Sequence, residues 1–85
     1  MTTAYVLLNV KPNSELEIIQ QIKGIVKAEN QALRCEVQGV YGVYDIVLKI
    51  ESEGVDDVKN MLEKVRKIAK ITSTITMLVI ETQEV

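Results

Sequence analysis

A chain of 85 residues has room for one domain, and its formal net charge of −2 gives no reason to expect a partner with a phosphate backbone. With no histidine and with Cys35 as its lone cysteine, it lacks the commonest general base, an internal disulfide and a thiolate metal cage. Hydrophobic residues make up 47% of the sequence although Trp and Phe are absent, so the core falls to Val, Ile, Leu, Met and three Tyr, a mixture that suits sheets.

The sequence pI of about 5.1 points the same way as the charge and excludes direct nucleic-acid binding. Met1 to Ala4 shows no basic region leading into an apolar core, and no run reaches the roughly 18 apolar residues of a membrane span. Together these features predict a single cytoplasmic domain over residues 1–85 with no metal, no cofactor and no membrane contact.

Ala4 to Val10 alternates Ala4, Val6, Leu8 and Val10 with Tyr5, Leu7 and Asn9, the period of a first strand. Lys11-Pro12-Asn13 breaks it, and Ser14 with Glu17 forms a capping-box pattern, so a helix begins near Glu15. Its apolar stripe is Leu16, Ile19, Ile22 and Val26, widened by Ile18 and Ile25, with Gly24 as a candidate C-terminal cap. The stretch from Lys27 to Leu33 suits either a continuing helix or its end. Arg34 to Val40 reads as the second strand and Val43 to Glu51 as the third, joined near Gly42 by a short hairpin. Gly54 is placed to cap a second helix with Asp56 and Asp57 in its first turn; Val55, Val58, Met61, Leu62, Val65 and Ile68 recur at helical spacing, and Lys64, Arg66 and Lys67 suit its C-terminal dipole. Thr72 to Ile80 reads as the fourth strand, with Ile75, Met77 and Val79 opposite Thr74, Thr76, Leu78 and Ile80.

The order is βαββαβ, a ferredoxin-like α+β fold whose right-handed crossovers put both helices on one face of an antiparallel four-stranded sheet. The other face should then alternate to polar residues, yet strands one and four carry large apolar side chains on both faces. A second copy packing sheet against sheet covers them most economically, so the fold is expected to dimerise through its sheets.

Gly39-Val-Tyr-Gly-Val-Tyr-Asp45 is the densest motif, two Gly-Val-Tyr units ending in an acid. As structure it is two strand ends and a turn, with glycine supplying positive φ. As a site, Gly42 admits a ligand to exposed amides, the tyrosines wall a pocket and Asp45 receives an ammonium group. Val40 to Ile50 together with Ile71 to Val79 resembles the effector-binding (RAM) domain of the Lrp/AsnC transcriptional regulators, a resemblance that runs from Ala4 to Ile80. It implies a stand-alone domain without the family's helix-turn-helix, since strand one starts within a few residues of Met1. It further implies dimers assembled into rings, with amino-acid effectors held in clefts between dimers. Carried over by matching position, the cleft residues are Tyr41, Gly42, Val43, Tyr44 and Asp45, with Ser73, Thr74 and Thr76 supplying hydroxyls. The segment between Gly24 and strand two is longer than the family pattern, which affects the cleft or the assembly contacts.

Other features favour structural roles. Cys35 reads as a small buried side chain with no histidine to activate it, and Glu53, Asp56 and Asp57 suit a helix start without a metal. Val37-Gln-Gly-Val40 has the look of an acylphosphatase phosphate loop but lacks the arginine and helix that should follow it. The expected function is an amino-acid or metabolite sensor, not an enzyme, that acts on a full-length DNA-binding relative or a metabolic enzyme. The alternatives are a purely structural oligomerisation module and, against the absence of an acid/base pair, a small enzyme of the dimeric α+β barrel type.

Overall fold

The computed structural model of the protein describes residues 1–28 and 33–80. Strand β1 (Thr2–Val10) leads through a turn into helix α1 (Glu15–Ala28); β2 (Arg34–Gly39) and β3 (Ile46–Ser52) follow, then helix α2 (Val55–Arg66) and β4 (Ile71–Leu78). All strand pairs are antiparallel in the order β2-β3-β1-β4, the expected βαββαβ fold. Register fixes the faces: Val6 lies between Leu48 and Thr76, and Leu7 between Val47 and Ile75.

One sheet face meets the helices, α1 packing on β2 and α2 on β3 and β1. Ala4, Val6 and Leu8 from β1 and Ile46, Leu48 and Ile50 from β3 are fully buried there, against Ile18 and Ile22 of α1 and Val58, Met61 and Val65 of α2. Removing that much aliphatic surface from water is the main favourable term for so small a domain. Gly54 caps α2 with an extended backbone, as its position predicts.

Several boundaries differ from the sequence expectation, each for a local reason. Gly24 does not end α1, which runs on to Ala28. Residues 29–32, part of the stretch with two readings, lie outside the described residues, as do residues 81–85. Leu16 sits on the solvent side of α1 at 78% exposure, because the buried stripe is centred on Ile18 and Ile22. The capping box forms differently too. The Ser14 amide donates to the Lys11 carbonyl at 3.1 Å, while the Glu17 carboxylate receives the Lys70 ammonium at 2.7 Å. Asn13 and Lys70 adopt positive φ, and the Lys11 amide donates to the Lys70 carbonyl at 2.8 Å, so the turns before α1 and before β4 are stitched together.

Among the described residues no helix covers the second face. Tyr5, Leu7, Val47, Ile75 and Met77 form its apolar half, while Arg34, Glu36, Lys49 and Glu51 occupy the β2 and β3 side, with Lys49 Nζ 3.5 Å from Glu51 Oε1. Ile75 and Met77 are about half exposed, at 45% and 48%. Among the described residues no helix is long and apolar enough to cross a membrane.

Candidate functional site

β3 begins later than its composition suggests, at Ile46 and not at Val43, and β2 stops at Gly39. Residues 40–45 are therefore a loop, longer than the short hairpin the sequence favours. Its base is firmly tied. The Val40 amide donates to the Asp45 carbonyl at 2.9 Å, the Asp45 amide donates to the Leu8 carbonyl at 2.9 Å, and Asp45 Oδ2 accepts the Val10 amide at 2.9 Å. The last bond falls where β1 changes register between Asn9 and Val10, so the carboxylate satisfies an amide at an irregularity of the ladder. Gly42 has φ +139, a backbone region that side chains with a Cβ rarely adopt.

Above this base the loop is open. Tyr41 is fully exposed and Val43 is 83% exposed, whereas Tyr44 and Asp45 are half-buried. A cleft of about 460 Å³ lies beside the loop, lined by Glu15, Gly39, Val40, Tyr41 and Asp45. Glu15 was not visible as a site residue in the motif, yet the topology places it there: the end of β1, the start of α1, the end of β2 and the start of β3 share one end of the sheet.

The structure divides the hydroxyl residues. Ser73 stands on the helix-free face, where its Oγ accepts the Asn9 side-chain amide at 3.2 Å, across β1 from the loop. Thr74 and Thr76 turn to the helix-covered face, opposite Leu8 and Val6. Thr76 Oγ1 is buried and has no hydrogen-bond partner among the described residues. Within one chain, therefore, Tyr41, Gly42, Val43, Tyr44 and Asp45 are gathered at one end of the sheet, Ser73 flanks them, and Thr76 lies farther along the sheet beneath it.

Cys35 is half-buried on the edge strand β2; burial, and then neighbouring Glu36, push its thiol from 9.0 up to about 11. A thiol in that state is a poor nucleophile at neutral pH. No group of three or more His, Cys, Asp or Glu among the described residues is placed to hold a metal ion, and Asp56 and Asp57 lie in the first turn of α2 where the helix dipole favours them.

No family model and no curated protein matches the chain. Solved structures do. The crystal structure of FFRP-DM1 is 30% identical, with 94% of this chain aligned to all of that one at a TM-score of 0.75. A hypothetical protein from Pyrococcus horikoshii is 29% identical over 96% of this chain and 93% of its own, again at 0.75. An AsnC family transcriptional regulator from Agrobacterium tumefaciens shares the fold at a TM-score of 0.69 with 14% identity; the chain aligns over 99% of its length but spans only 53% of that regulator.

Proposed function

Since the chain belongs to the Lrp/AsnC family of regulators, in the form of its effector-binding (RAM) domain, we propose that it is a small-molecule-sensing module whose effector carries an amino group. The observation that carries this reading is the construction of the 40–45 loop. It is pinned to β1 at its base, yet it presents Tyr41 and Val43 to solvent beside a cleft that holds Asp45. A rigid base with an unfilled rim is how one half of a shared site looks.

The second half comes from another copy. The apolar side chains of the helix-free face support pairing of two sheets, and a further dimer set against the loop would close the cleft. In this arrangement Asp45 takes the effector's ammonium, Gly42 lets the ligand approach backbone amides, Tyr41 and Tyr44 form walls, and Ser73 and Thr74 offer hydroxyls from whichever copy lies across the cleft, whereas the buried hydroxyl of Thr76 does not reach it. The module then acts through protein partners, either a full-length DNA-binding relative or a metabolic enzyme. A thermal-shift screen of the proteinogenic amino acids against the intact protein tests the sensing role. At least one should raise the transition by several degrees, as expected for a ligand well above its dissociation constant. If none moves it at any protein concentration, the proposal fails, and a purely structural assembly module is the better reading of the same apolar face.

A further inference from the structure

The cleft beside the loop is asymmetric in charge. Among the described residues that line it, Glu15 and Asp45 are acids, Gly39, Val40 and Tyr41 are neutral, and none is a lysine or arginine. Its volume of about 460 Å³ falls within the range of small-molecule sites, ~300–1,000 Å³. The two acids arrive from different elements. Asp45 is the last residue of the loop and is oriented through the Val10 amide; Glu15 opens α1.

A helix start accounts for an acid at either Glu15 or Glu17. Their environments differ, however. Glu17 is neutralised by Lys70 at 2.7 Å, whereas Glu15 has no cationic partner among the described residues and faces the cleft. One carboxylate is enough for the α-ammonium of an effector. A second one across the cleft penalises any ligand that covers it without offering a charge, because a carboxylate taken from water unpaired is costly.

Resting on the sensing role proposed above, we infer that this cleft selects effectors with two cationic centres, such as basic amino acids or short diamines, with Asp45 and Glu15 each receiving one ammonium. Neutral amino acids leave Glu15 covered and unpaired. Acidic ones add repulsion. Tyr41 at the rim contributes an aromatic face to the distal ammonium once the cleft is covered.

Isothermal titration of the intact protein with L-lysine, L-norleucine and L-glutamate tests this, since norleucine keeps the α-amino acid and the carbon chain and lacks only the distal ammonium. Lysine should bind about tenfold or more tighter than norleucine, a difference that one well-placed ion pair can supply, and glutamate should bind weakest. Glu15→Gln should bring the lysine-to-norleucine ratio close to one. Putrescine should compete with lysine on the unmodified protein, a measurement that stands even if the variant folds poorly. The inference is overturned if norleucine or glutamate matches lysine, if putrescine does not compete, or if a folded Glu15→Gln variant keeps the ratio. Binding of neutral amino acids without a cationic preference would leave sensing intact and remove this selectivity alone; no binding by any amino acid would remove both.

Discussion

The two faces of the sheet are made by the same alternation and finished in different ways. On the helix side, Leu8, Leu48 and Ile50 are fully buried within one chain. On the other, Tyr5, Leu7 and Val47 alternate with them just as regularly and meet no helix. β4 makes the contrast sharpest, because it turns Thr74 and Thr76 toward the helices and Ile75 and Met77 away from them. A domain optimised to stand alone would reverse that strand. The difference teaches that one apolar face is buried within the chain while the other keeps large apolar side chains partly open to solvent.

Substitutions on the two faces should therefore fail in different ways. Leu8→Ala, at the centre of the covered face, should lower the unfolding free energy by roughly 2–5 kcal/mol in urea melts at fixed protein concentration, through lost burial and a cavity. Asp45→Ala tests the junction between the faces. It removes a charged acceptor from the Val10 amide and should cost about 1.5–3 kcal/mol, with the loop losing hydrogen-exchange protection first. Ile75→Lys should change the stability of a single chain least, within about 0.5 kcal/mol, because the site is half exposed. Its effect should appear in light scattering, where the unmodified protein has the mass of a dimer or larger at micromolar concentration and the variant that of one chain. An unmodified protein that scatters as one chain would erase the distinction between the faces.

Much of this was legible in the sequence because periodicity speaks directly about burial. The Ala4, Val6, Leu8, Val10 alternation and the Val58, Met61, Leu62, Val65 stripe fixed their elements with little ambiguity, and the apolar residues on both faces of β1 foretold a helix-free face that is partly apolar. Helix α1 was harder. Six apolar positions spread over a wide arc could not tell which of them would face the sheet, and Leu16 proved to be outside. The third strand started late for a different reason. Val43 and Tyr44 are good strand formers, but Gly42 and the tie between Val40 and Asp45 hold the chain in a loop, and such tertiary hydrogen bonds leave no periodic trace.

The candidate site was legible as a segment and not as a surface. The Gly-Val-Tyr-Gly-Val-Tyr-Asp run marked the loop, and resemblance supplied its role. Glu15 lay far from that run in sequence and carried an ordinary helix-start explanation, so only the shared end of the sheet revealed that it lines the cleft. The resemblance grouped Thr74 and Thr76 with Ser73, yet strand alternation puts the two threonines on the helix-covered face and Ser73 on the other.

The bond between Asp45 Oδ2 and the Val10 amide also bears on the order in which the molecule is assembled. Its partners come from β1 and from the approach to β3, so they meet only after those strands have aligned with the whole of α1 and β2 spanning the chain between them. Entropy of closure is spent on the sheet before the carboxylate can find its amide. The 40–45 loop is thus a late product of folding and an early casualty of unfolding, and its intactness reports that the strands behind it are in register.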